Sequence, residues 1–189
     1  MTPRSPAELV ACARECRGLE RRALLRTCYG VDFPEETFVA LDLDPDKATS
    51  NLLPWVLVRP DFAPSPAWLE LWERVFAHDP LLVPLDRKWD DFLCYRLDEL
   101  AVGRTTVFSV DDHELGPQPT ERVGESYLAV HHARAVNAAA HAEAEWRSPY
   151  NQGAGSIDRE EVDWRHSVVA QHETLLRELE QRMIVARTV

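Results

Sequence analysis

Hydrophobic and polar residues alternate most clearly in the middle of the chain, between residues 79 and 114. Three segments there, residues 81–85, 92–97 and 105–110, are rich in aromatic and β-branched side chains. Such residues suit a pleated, half-buried surface, and short polar links separate the three segments. The pattern predicts an antiparallel meander, a kind of sheet that buries one face under helices.

Apolar residues at helical spacing precede this meander. A Ser-Pro start at Ser5 predicts a helix that runs to Gly30, and Pro34 fits the first turn of a second helix. Another Ser-Pro start, at Ser65, predicts a third helix. Its apolar residues share one stripe that is expected to face the core: Trp68, Leu71, Trp72, Val75 and Phe76.

An apolar run at residues 52–58 has the length of a strand. Pro54 lies within it and has no backbone N–H to donate to a neighbouring strand. We therefore expect an edge strand at this position.

The composition changes after Gly116, where two prolines interrupt the chain. An alanine-rich helix is predicted over residues 121–146, and Asp158 is expected to cap a last helix. The apolar residues of that last helix lie seven apart and suit packing against one neighbouring helix: Val162, Val169, Leu176 and Met183.

The predicted fold is therefore α+β: a central antiparallel meander packed by N-terminal helices, with two additional C-terminal helices. Residues 1–117 are assigned to the α+β domain. Residues 118–189 are assigned to a C-terminal helical extension that packs on the same domain.

The chain of 189 residues has a formal net charge of −11. Negative charge of this size disfavours binding to nucleic acid or to anionic membranes, because phosphate would be repelled over the whole surface. It fits a basic partner, or it serves solubility alone. There is no signal-like apolar segment and no apolar run near 18 residues, so we expect a soluble cytoplasmic protein without a membrane partner.

Four cysteines occur in the chain without a CxxC pair: Cys12, Cys16, Cys28 and Cys94. A disulfide between Cys12 and Cys16, four residues apart in a helical pattern, would be strained. Buried reduced thiols are the expected state.

Chemistry-bearing motifs are sparse. The sequence Asp111-Asp112-His113-Glu114 is the nearest to a metal cluster, but no second ligand motif has a recognisable spacing, so a solvated acidic turn is preferred. Three histidines on the predicted Ala-rich helix lack the HExxH arrangement, which favours packing or surface positions: His131, His132 and His141. Neither GxSxG nor a Gly-rich phosphate loop is present. We expect a binding protein rather than an enzyme, without a cofactor or metal.

Two parts of the chain resemble the SUKH superfamily. Residues 29–35, YGVDFPE, resemble the G-x-x-LP-E entry to that family's second helix. Residues 82–85, the acidic Trp-Asp-Asp at 89–91 and the strands that follow resemble its central signature, a strand, a Gly-Asp turn and two more strands. Phe33 stands where the family usually has Leu, and Asp90 where it has Gly.

The resemblance implies an α+β fold and an immunity protein, which neutralises a toxin encoded beside it; other members are regulatory interaction modules. For this chain it implies binding to a cognate basic toxin domain, with a nuclease as the expected kind. Acidic loops and aromatic anchors would form the interface. The expected partner-binding residues are Asp42, Asp44, Asp46, Trp55, Trp89, Asp90, Asp91, Asp111, Asp112 and Glu114.

Two other functions stay open at this point. A non-catalytic scaffold or regulatory protein would use the seam of the C-terminal helices for its contacts. A metal-dependent hydrolase would be built on Asp111, His113 and Glu114.

Overall fold

The structure is a computed structural model that describes residues 2–43, 52–59, 64–88, 91–111, 120–151 and 156–188. Within these ranges the fold is α+β, as predicted. The chain forms two compact units, residues 1–127 and residues 128–189, and each is described by itself.

A four-stranded antiparallel sheet lies at the centre of the first unit, in the order β1-β2-β3-β4. The strands are β1 (Leu82–Lys88), β2 (Asp91–Arg96), β3 (Val107–Asp111) and β4 (Glu121–Gly124). The first three confirm the predicted meander. Phe92, Leu93, Cys94 and Tyr95 of β2 are all buried. Because neighbouring strand residues point to opposite faces, both faces of β2 are covered.

The first predicted helix is two helices, α1 (Pro6–Glu15) and α2 (Arg21–Tyr29), so a single helix to Gly30 was wrong. Gly18, with a φ of 96°, lies in the break in a left-handed conformation that glycine adopts without strain. Ser5 and Glu8 form the predicted capping box at the start of α1. Gly30, with a φ of 75°, ends α2 as predicted.

Among its described residues, the first unit has three more helices: α3 (Glu35–Leu43), α4 (Pro66–His78) and the short α5 (Leu97–Ala101), which was not predicted. In α4, Trp72 and Val75 are buried, whereas the rest of the predicted stripe is half-buried. Side chains of α1, α2, α4 and β1 surround a cavity of only about 30 Å³, so the N-terminal helices pack closely against the first strand.

Residues 52–58 are not an edge strand. They form turns in which the Val56 N–H donates to the Leu52 carbonyl over 3.1 Å and the Leu57 N–H to the Pro54 carbonyl over 3.1 Å. These local bonds satisfy the backbone inside the core, where the apolar side chains of the run are buried.

The start of the predicted Ala-rich helix also differs from the prediction. Residues 121–124 form β4 instead of the start of a helix, with Ser109 paired to Glu121 and Phe108 to Arg122. The strand is short and polar, so no hydrophobic alternation marks it in the sequence. The first unit therefore extends to Tyr127.

The second unit contains the two predicted C-terminal helices, α6 (Tyr127–Trp146) and α7 (Arg159–Thr188). The Asp158 carboxylate accepts the Glu161 N–H over 2.8 Å, which confirms the predicted cap. The predicted seam is only partly correct: Val162 is buried, Val169 and Leu176 are half-buried, and Met183 is 44% exposed. No helix among the described residues combines the length and the apolar composition needed to span a bilayer.

A buried carboxylate joins three parts of the first unit. Glu36, in the first turn of α3, is only 3% exposed. It accepts hydrogen bonds from the Tyr95 hydroxyl of β2, from the Ser126 hydroxyl over 2.5 Å and from the Tyr127 N–H over 3.0 Å. The helix N-terminus adds a favourable field for this charge.

We expect Glu36→Gln to lower the free energy of unfolding by about 2–4 kcal/mol, because an amide cannot accept from all three buried donors. The matched control is Glu35→Gln. Its side chain pairs with Arg22 at the partly exposed surface, so a loss of about 0–1 kcal/mol is expected. Urea unfolding of both variants measures the difference, and equal losses would contradict the role of Glu36.

Candidate functional site

Two of the predicted partner-binding residues come together at one end of the sheet. Asp91 begins β2 and Asp111 ends β3, and the two are cross-strand partners. Lys88 ends β1 and is the partner of Asp91 on its other side. We name this row of Lys88, Asp91 and Asp111 the acidic strand end.

The register gives the acidic strand end a net negative charge. Two acidic residues directly opposite each other in the register are unfavourable for the sheet itself. Asp111 is exposed. Strand ends and the loops that follow them are common positions for binding residues. The arrangement can therefore attract a cationic surface.

Asp42 lies in the last turn of α3, where it pairs with Arg21 over 2.7 Å. Its charge is therefore compensated locally. The remaining acidic and aromatic candidates lie outside the described residues and stay predictions: Asp44, Asp46, Trp89, Asp90, Asp112 and Glu114.

Trp55 is a core residue, so its prediction as a partner-binding anchor was wrong. It is 1% exposed, its indole N–H donates to the Leu85 carbonyl, and its ring centroid lies 6.2 Å from that of Tyr127. The turns at residues 52–58 fold the indole inward, whereas an edge strand would have left one face of it in solvent.

The described residues contain no three His, Cys, Asp or Glu side chains arranged to hold a metal ion. Two residues of the alternative hydrolase site, His113 and Glu114, lie outside the described part of the chain. His131 is buried and stacks on His172, with the ring centroids 5.4 Å apart, and His141 is largely exposed. These are the packing and surface positions expected for the histidines.

A groove of about 510 Å³ in the first unit was not predicted. It lies where the link at residues 30–34 meets the link at residues 103–105. Arg26 and Arg104 line it, and each has its guanidinium 3.6 Å from an acidic neighbour. The groove forms through tertiary packing of two links that are far apart in the chain, so nothing in the sequence indicated it.

A depression of about 560 Å³ lies at the start of α7 in the second unit. Trp164 lines it and is 55% exposed, beside Asp158, Glu160 and Glu161. Trp164 lies off the apolar seam of α7. This position in the sequence could have indicated that its side chain is exposed. An exposed indole next to carboxylates can contact a cationic side chain.

Arg96 holds the largest ion-pair cluster near the sheet. Its guanidinium bonds both oxygens of Asp98 at 3.1 Å and also bonds Asp79. The hydrogen bonds from Arg96 lower the pKa of Asp98, and their effect exceeds that of burial. The cluster joins the end of α4 to the start of α5, so its role is structural.

No protein-family model, curated protein or solved structure was found to match this chain.

The Arg96 cluster predicts a pH dependence of stability. The folded pKa of Asp98 is lowered, so its stabilisation is present above the unfolded pKa, about 4, and disappears as the pH falls through the folded value. Because Asp98 is half exposed, Asp98→Asn should cost only about 0.5–1 kcal/mol at pH 7. Denaturant unfolding across a pH series measures this cost, and a cost that stayed constant into strong acid would contradict the ion pair.

Proposed function

We propose that this chain is a cytoplasmic immunity-type protein that binds a cognate toxin with a basic catalytic domain and neutralises it. The acidic strand end carries the proposal, in a chain with a formal net charge of −11. A nuclease domain is the expected partner, because an enzyme that binds phosphate presents a basic surface. An acidic surface that covers it would compete with the nucleic acid.

Charge complementarity of this kind acts mainly on the rate of association. Oppositely charged surfaces steer diffusing proteins together and can raise the association rate by one to three orders of magnitude at low salt. A fast association is useful to a protein that must capture a toxin before it acts. Aromatic anchors would then hold the complex, and Trp89 remains the candidate for that role in the first unit.

The SUKH resemblance supports the same function. The segment at residues 29–35 forms the end of α2, the link to α3 and its first residue, and residues 82–85 form the first half of β1. Members of that superfamily neutralise toxins by binding, which agrees with the lack of catalytic motifs in the sequence. We include membership of the SUKH superfamily in this proposal.

One observation favours the second candidate, a scaffold or regulatory protein that uses the C-terminal helices. Near its C-terminal end, α7 exposes three consecutive apolar residues, Met183, Ile184 and Val185. Exposed apolar residues in a row are typical of a protein–protein contact. A chain of this second kind would have no toxic neighbour gene.

Coexpression tests the proposal directly. The neighbouring gene should arrest growth when expressed alone, and coexpression of this chain should restore growth through a stable complex. A neighbour that is harmless, or a toxin that the chain does not bind, would contradict the immunity function and leave the scaffold as the better candidate.

The acidic strand end predicts which charges steer the toxin. We expect Asp91→Lys with Asp111→Lys to slow association about tenfold or more at low salt and to weaken its salt dependence, with little change in the thermal midpoint. The matched control is Glu70→Lys with Glu73→Lys, which makes the same change in net charge on the exposed side of α4. Stopped-flow binding across a salt series measures both, and equal slowing would show that only net charge matters.

A further inference from the structure

Three of the four cysteines gather where α1 meets α2. Cys12 lies within α1, Cys16 is its C-cap residue and Cys28 lies in the last turn of α2. All three are free thiols; Cys12 and Cys16 are partly exposed, whereas Cys28 is buried. The fourth, Cys94, is buried in β2 and is not part of this cluster.

Arg4 fixes the position of the Cys12 sulfur. One guanidinium nitrogen, Nη1, donates to Cys12 Sγ over 3.1 Å, to the Thr27 carbonyl over 2.6 Å and to the Cys28 carbonyl over 2.8 Å. The Cys12 thiol also donates to the Thr27 carbonyl over 3.9 Å. These contacts place the sulfur of Cys12 directly against the last turn of α2.

The Arg4 guanidinium that bonds the Cys12 sulfur also bonds the Cys28 carbonyl, so the two cysteines lie on either side of one group. Burial, and after it the neighbouring Cys12, raises the pKa of Cys28 to about 12. Cys28 is therefore held as a protonated thiol beside a sulfur that is more accessible and lies next to a positive charge. The guanidinium is placed to stabilise negative charge on Cys12 as that sulfur reacts.

We propose that Cys12 is an oxidation site, and that hydrogen peroxide links Cys12 and Cys28 in a disulfide that joins α1 to α2. The inference does not depend on the immunity function. Cys28 rather than Cys16 is the second sulfur, because Cys28 lies in the turn of α2 against which the Cys12 sulfur is held. Two cysteines four apart near the end of one helix form a disulfide only with strain.

The reaction has two steps, each with its own balance. The Cys12 thiol attacks one oxygen of hydrogen peroxide, the O–O bond breaks, and the products are a sulfenic acid on Cys12 and one water. The Cys28 sulfur then attacks the sulfenic sulfur, the S–O bond breaks, and the hydroxyl leaves with the Cys28 proton as a second water. Two thiols are oxidised, and one peroxide is reduced to two waters.

The test treats the purified full chain with a small excess of hydrogen peroxide, without denaturant. The number of free thiols found by titration should fall from four to two. Trypsin cleaves after Arg14, Arg17 and Arg26, so the cysteines of the cluster separate into three peptides. Mass spectrometry of the digest should find the Cys12 peptide joined to the Cys28 peptide and two hydrogens lighter than their sum.

Variants separate this reaction from general oxidation. Cys16→Ser should keep the linkage, and Cys12→Ser should lose it with Cys28 still reduced. Cys28→Ser should leave a sulfenic acid on Cys12 that a dimedone probe labels. Arg4→Gln should slow the loss of thiols by at least about threefold. Circular dichroism of each variant checks that it is folded.

Cys94 is the control within the same chain, and it should stay reduced throughout. The proposal is overturned if the four thiols survive peroxide, if Cys12 pairs with Cys16, or if the disulfide joins two chains. It is also overturned if Cys94 oxidises at the same rate as Cys12, because the loss of thiols would then report unfolding.

Discussion

The first unit depends on a single carboxylate, that of Glu36, which is almost entirely buried. An ionised side chain in a protein interior is costly unless hydrogen bonds replace those it made to water. Glu36 meets that condition through the Tyr95 hydroxyl, the Ser126 hydroxyl and the Tyr127 N–H. Few arrangements of α3, β2 and the segment after β4 provide all three donors at once. The carboxylate therefore selects one arrangement, and this explains why the first unit continues to Tyr127.

Two arginines of α2 form ion pairs with acidic residues of α3. Arg21 pairs with Asp42, and Arg22 pairs with Glu35 while its guanidinium lies 3.9 Å from the centre of the Phe38 ring. The charges of these two arginines are thus compensated within the N-terminal helices. The acidic strand end places Asp91 and Asp111 opposite each other in the register, and it is the part of the sheet at which we propose binding.

Much of the fold could be predicted because its signals are local. Strand residues 92–97, the Ser-Pro helix starts and the helix end at Gly30 are each decided by a few neighbouring residues. What was missed depends on contacts across the chain. The four polar residues of β4 form a strand only because β3 is beside them, and the turns around Trp55 depend on a core that receives the indole. Pairing of Asp91 with Asp111 could not be predicted either, because the register of β2 and β3 is set by their packing.

Arg4 has a consequence for how the protein can be handled. Its guanidinium closes the last turn of α2 by bonding the Thr27 and Cys28 carbonyls, a task that most helices leave to residues of their own C-terminus. Two carbonyls at the end of one helix are thus bonded by a residue just ahead of another helix, in addition to the Gly30 cap. An affinity tag fused in front of residue 4 is compatible with this arrangement, whereas a truncation that begins at Ser5 would remove the donor of both carbonyls. The practical N-terminal limit for a shortened protein is therefore Arg4, even though the first helix begins at Pro6.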